Sequence, residues 1–196
     1  MHLVPYNAAL LVIDVQNGFD EPVWGVGRNN PQMEGNIARL QRAWRESGRV
    51  LIHVQHDARW PGSPLHPSRP GNAIQSVVAP LAGEPVIHES LNSAFIGTRL
   101  EVMLRQCGVS TVIITGLQTG HCVSTTARMA ANLGFKTYVV SDATATFDLT
   151  EGGPDGRRHR AEEVHAVALV ELNGEFATIV DTAAVLEALT VPALSA

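Results

Sequence analysis

Cys122, Asp14 and a small set of histidines are the residues whose types and positions point to chemistry. Cys122 follows a β-branched run and a Gly-containing turn in TVIITGLQTGHCVSTTARMAANLG, residues 111–134. A thiol in the first turn of the helix expected there meets free N–H groups and the positive end of the helix dipole, both of which favour a thiolate. The same N–H groups are suited to holding an oxyanion. The blander reading is a small buried hydrophobe, the common fate of a lone cysteine. The strand–turn–helix layout resembles a nucleophile elbow and favours the nucleophile. Cys107 precedes a helix-stopping Gly108 on a Leu-rich face and reads as packing.

Asp14 closes the apolar run ALLVID. A carboxylate there must leave water, which is costly unless the site supplies partners, so it points to function, with a loop-anchoring role as the alternative. Facing Cys122, it would take the thiol proton and return it to a leaving amine. His53, His56 and Asp57 in IHVQHDAR hint at a metal. In a strand, however, His53 and Asp57 share one face while His56 points away, so no metal set is expected. His165 reads as helix packing, and His121 either lines a pocket or faces outward. Phe19, Trp24, Trp60, Phe95 and Phe147 fall in or beside the loops of the site and are candidates for its apolar walls.

The elements that must position these residues alternate. Short β-rich runs at 8–15, 49–55, 86–88, 111–115, 136–140 and 176–180 are separated by helix-length periodic segments, the pattern of parallel βα units. Ile37, Leu40 and Trp44 fall on one face of the first helix, and Gly48 stops it. The spacing Thr98-Arg99-Leu100-Glu101 predicts a capping box, with Gly108 as the stop. The helix opening near His121 should end at Gly134, and Asp181 should cap the last helix. Six strands with covering helices imply a doubly wound sheet, whose sites form where the strands' C-terminal ends meet. Loops 17–31, 57–80 and 148–159 leave that edge and are placed to roof a pocket.

Bulk properties narrow the partners. With 196 residues and 45% hydrophobic content, one sizeable core and a single domain spanning 1–196 are expected. The net charge is −5 and the 14 Lys and Arg are scattered, so neither nucleic acid nor a membrane surface is an expected partner. The N-terminus has no basic leader, and Asp14 cuts its apolar run, so a cytoplasmic location and reduced cysteines are expected.

The segments ALLVIDVQNGF, NSAFIGTRLE, TGLQTGHCVSTTARMAANLG, VVSDATATFD and EEVHAVALVELNGEFATIVDT together resemble, in order and over nearly the whole chain, the isochorismatase-like cysteine hydrolases. The resemblance implies a three-layer α/β/α sandwich with a mostly parallel six-stranded sheet, a homodimer or homotetramer, no cofactor, and an Asp, Lys and Cys catalytic set. Asp14 and Cys122 match two of these. It further implies a cis Leu117–Gln118 peptide bond, with the backbone N–H groups of Gln118 and Cys122 as oxyanion donors.

The third position departs from the family: VIHESLNSAF places Glu89 where the family carries Lys, reversing a charge. Neighbouring carboxylates raise each other's pKa and disfavour a thiolate. Three accounts stay open: Glu89 shares a proton with Asp14; a cation such as Arg99, or one on the substrate, compensates; or the chemistry is lost. The acidic lining hints at a cationic substrate. QHDAR also lacks the Asp-x-His metal signature of nicotinamidases, arguing against nicotinamide as substrate. The expected activity is metal-independent hydrolysis of a C–N bond in a small amide, carbamoyl or lactam compound through a thioester. The competing readings are a catalytically silent ligand-binding or scaffold protein and, below it because Cys122 is present, a vinyl ether hydrolase of the isochorismatase type.

Overall fold

The computed structural model describes residues 4–24, 27–152 and 156–190. Parts of the expected loops 17–31 and 148–159, and both ends of the expected 1–196 domain, therefore lie outside the described residues.

The sheet is built from β1 (Ala8–Ile13), β2 (Leu51–His56), β3 (Val86–Glu89), β4 (Thr111–Leu117), β5 (Lys136–Ala145) and, after a short antiparallel pair β6 (Leu149–Thr150) and β7 (Arg158–His159), β8 (Thr178–Val180). Its order is β3-β2-β1-β4-β5-β8, and every neighbouring pair runs parallel. Apolar residues on both faces make β1 and β4 buried throughout, as a parallel sheet covered on two sides requires.

Helices cover both faces. On one, α1 (Met33–Glu46) sets Met33, Ile37, Leu40 and Trp44 against Leu10, Val12, Ile113 and Tyr138, with Val185 of α5 (Thr182–Thr190) beside them. On the other, α2 (Leu100–Gln106), α3 (Ser124–Asn132) and α4 (Ala161–Leu172) pack Leu100, Leu104, Ala127, Ala130 and Leu172 onto Leu11, Ile13, Ile52 and Ile114. Each fully buried Leu or Ile stabilises this three-layer sandwich by about 1.5–3 kcal/mol.

Several local expectations are corrected. Strand β1 ends at Ile13, two residues early, because Asp14 turns into the left-handed region at φ 53°. Strand β5 runs on to Ala145 past a register shift opposite Ile114 and Gly116. Gly116 itself has φ 111°, and a Cβ there would lie 1.9 Å from the Ile13 carbonyl oxygen, so only glycine fits where β4 crosses the end of β1. The expected capping box does not form: Thr98 Oγ1 accepts from the Leu100 N–H at 3.2 Å, while Glu101 turns to Arg105. Asp181 does cap α5, its Oδ1 accepting from the Ala184 N–H at 2.7 Å. Cys107 is exposed rather than packed. No helix among the described residues is long and apolar enough to cross a membrane.

Candidate active site

The strand order places the site. It reverses between β1 and β4, and at such a switch point the connections leave in opposite directions and open a crevice at the C-terminal edge. Four adjacent strands each deliver one reactive side chain there: Glu89 ends β3, His56 ends β2, Asp14 follows β1 and Cys122 follows β4. One donor atom from each lies within 4.8 Å of every other.

Cys122 sits in a π-helical turn, Thr119–Val123, ahead of α3, and not in the first turn of a regular α-helix. The Leu117–Gln118 peptide bond that leads into the turn is cis. Gln118 and His121 line a cavity of about 110 Å³ together with Asp14, Phe19, Trp24, His56, Leu65, Asn92 and Cys122. The Cys122 backbone N–H lies against its own sulfur.

The decisive contact is one the sequence reading set aside. His56 Nδ1 lies 2.7 Å from Glu89 Oε1, and the two residues are register partners on β2 and β3. The second Glu89 oxygen accepts from the Leu91 N–H at 2.7 Å, so the buried carboxylate is held at both ends. The group beside Glu89 is thus an imidazole from the neighbouring strand; Arg99 is exposed at the head of α2. His53, Asp57 and His56 do not converge: His53 turns to Glu84 at 3.2 Å and Asp57 to His88 at 3.0 Å. The signal that could have found His56 is cross-strand register, because parity along β2 alone ignores what β3 presents.

Asp14 is fully buried; its carboxylate meets the Cys122 thiol, and beyond that contact neither oxygen has a hydrogen-bond partner among the described residues. Burial and then the charge of Glu89 push its pKa up to about 8, against a smaller lowering from His56. Burial, followed by Asp14 and Glu89, also pushes the Cys122 thiol up. Burial works to lower the His56 pKa, but the Glu89 hydrogen bond and the charges of Asp14, Glu89 and Asp57 outweigh it, so His56 is raised toward its cationic form.

The aromatic candidates divide. Phe19 and Trp24 line the cavity, with ring centroids 4.8 Å apart, and Phe147 stands behind them at 6.1 Å from Phe19. Trp60 is 68% exposed and points to solvent, away from the pocket. Phe95 stacks on Phe135 at 6.0 Å in the core under α2, because the SAF segment turns inward to begin that helix.

Two further groups hold the site and carry no motif. Buried Gln16 donates to the His56 carbonyl at 3.0 Å and accepts from the His56 N–H at 2.9 Å, and Asn72 of loop 57–80 donates to the same carbonyl at 3.0 Å. His165 of α4 faces Thr119 Oγ1 across 2.8 Å, tying the turn that carries Cys122 to a helix. It therefore does more than the packing expected of it.

The parallel α/β sandwich sets the class of fold, and the isochorismatase domain matches residues 8–184. The chain belongs to the isochorismatase family of hydrolases. It is 45% identical over 174 residues to the isochorismatase family protein YrdC of Bacillus subtilis, spanning 89% of this chain and 91% of that one. An isochorismatase-family structure from Chromobacterium violaceum superposes with a TM-score of 0.90 at 43% identity, covering 96% of each chain. Nicotinamidase 3 of Arabidopsis thaliana is 30% identical over 89% of this chain and 84% of its own. Relatives in the family thus include amide hydrolases.

Proposed function

We propose that the protein is a cysteine-dependent hydrolase of a C–N bond in a small amide, carbamoyl or lactam compound. The observation that carries this reading is the convergence of Cys122, Asp14 and the His56–Glu89 pair on one small cavity at the switch point.

Cys122 Sγ attacks the carbonyl carbon as its proton passes to the Asp14 carboxylate. The developing oxyanion falls to the backbone N–H groups of Gln118 and Cys122. Asp14 then delivers the proton to the departing nitrogen, the C–N bond breaks, and an acyl thioester and a free amine or ammonia remain. Water attacks the thioester with Asp14 as base, releasing the acid and restoring the thiol. The His56–Glu89 pair takes the place of the family's Lys: protonated His56 brings the positive charge, and Glu89 fixes the ring. With Glu89 paired in this way the pocket is less acidic than the sequence suggested, which favours neutral substrates over cationic ones. The cavity of about 110 Å³ suits a ligand of few heavy atoms against Phe19 and Trp24.

The test is ammonia or amine release from a panel of small amides, carbamoyl compounds and lactams in chelating buffer. Release by the natural protein that disappears in Cys122→Ala supports the reading; equal release by both overturns it.

The face of α4 that leaves Val167 and Val170 at 59% and 75% exposure supports self-association as a homodimer or homotetramer. Sedimentation of Val170→Lys against the natural protein tests it. Two free thiols fit a reducing, cytoplasmic location.

A further inference from the structure

We propose that Asp14, His56, Glu89 and Cys122 also bind one divalent cation of intermediate softness, best matched by Zn²⁺, and that the bound ion ties up Cys122 and silences hydrolysis. The silencing rests on the cysteine-hydrolase reading above; the binding does not.

The four side chains offer one sulfur, one imidazole nitrogen and two carboxylate oxygens, all within 4.8 Å of one another. A tetrahedral zinc shell has its donors roughly 3.4 Å apart, so small side-chain adjustments close the set around an ion. Mixed S, N and O donors select Zn²⁺ and its neighbours in the transition series over Mg²⁺ and Ca²⁺, which favour all-oxygen shells.

An independent observation points the same way. Beyond the Cys122 thiol, itself one of the four donors, both Asp14 oxygens are buried without a partner among the described residues, on the wall of the cavity that His56 and Cys122 also line. Buried carboxylate oxygens are rarely left unsatisfied, and a metal–oxygen bond is a direct way to satisfy them.

The remaining ligands are already oriented. Leu91 N–H holds one oxygen of Glu89, leaving the other to face His56. Gln16 and Asn72 fix the His56 backbone from both sides. Such supporting bonds lower the ordering that a metal must impose. On binding, the cation replaces the thiol proton and whatever protons the Asp14, His56 and Glu89 side chains hold, and these leave to solvent.

The test uses full-length protein stripped with EDTA and titrated with Co²⁺. Near-ultraviolet thiolate-to-cobalt absorption with visible tetrahedral bands, saturating at one ion per chain and displaced by Zn²⁺, is the expected result. Cys122→Ser should abolish the thiolate band, His56→Ala, which removes a ligand outright, should weaken binding by more than the roughly 100-fold upper range for loss of a supporting partner, and exposed Cys107→Ser should change neither. Zn²⁺ should protect Cys122 from iodoacetamide, and EDTA should restore the labelling. A protein with native circular dichroism but no thiolate band, or a band that persists in Cys122→Ser, overturns the site. Hydrolysis that survives saturating Zn²⁺ overturns the silencing. Absence of hydrolysis from metal-free protein counts against the cysteine-hydrolase reading and leaves the cobalt spectrum to judge the site.

Discussion

His56 and Glu89 sit opposite each other in register on adjacent parallel strands, with Nδ1 2.7 Å from Oε1 and the Glu89 side chain 1% exposed. Apart from the Leu91 N–H, this buried carboxylate depends on a single imidazole. Breaking a buried pair by removing one partner costs about 3–5 kcal/mol, much more than removing both. His56→Ala should destabilise the protein by about that amount, and His56→Ala with Glu89→Gln should recover most of the loss in urea unfolding while hydrolysis stays impaired. Additive stability losses in the cycle would contradict the pairing.

Gly116→Ala should destabilise by about 3 kcal/mol or more, or prevent folding, because its Cβ would overlap the Ile13 carbonyl at a φ of 111°. A midpoint within experimental error of the natural protein would show that β4 can move away from β1. Gly120, in the π-helical turn that follows β4, whose Cβ would meet nothing closer than 3.9 Å, serves as the control for glycine substitution nearby.

His165→Leu removes the partner of Thr119 Oγ1 and frees the turn that carries Cys122. Displacing a reacting group by an ångström can cost up to about 100-fold in rate, so kcat should fall by roughly 10-fold or more with a smaller change in KM. His165→Asn, which keeps a hydrogen-bonding group, should recover part of the loss. A change confined to thermal stability would reduce His165 to a packing role.

Acid stability should carry the mark of Glu84. Hydrogen bonds from Arg45 at 2.7 and 2.9 Å hold its carboxyl down to about 2, from an ordinary value of 4.5. A depressed carboxyl contributes stability that is present above 4.5 and is lost as pH falls through about 2. Glu84→Gln should be less stable than the natural protein above that window, with the difference closing across it, as read by urea midpoints against pH. A difference that stays constant down to pH 2 would refute the linkage.

Much of the fold was legible because it rests on local patterns: β-branched runs, helical stripes such as Ile37, Leu40 and Trp44, and glycine stops. Boundaries slipped where tertiary contacts override local preference, as at Asp14, whose left-handed turn shortens β1, and in β5, which lengthens past a register shift. Phe95 and Trp60 show the same limit. Position near a loop does not say whether an aromatic ring turns into the core, to solvent or to the cavity.

The sequence by itself determined the alternation of strands and helices, the placement of Asp14 and Cys122 at strand ends, and the charge reversal at Glu89, since each is a property of residue type and spacing along one chain. Only the tertiary structure decided that His56 meets Glu89, that buried Asp14 has no hydrogen-bond partner beyond Cys122 among the described residues, and that Gln16 and Asn72 brace the strand end between them. These depend on strand order and register. They join groups 16 to 40 residues apart in sequence, such as His56 and Glu89 at 33, that no local periodicity relates.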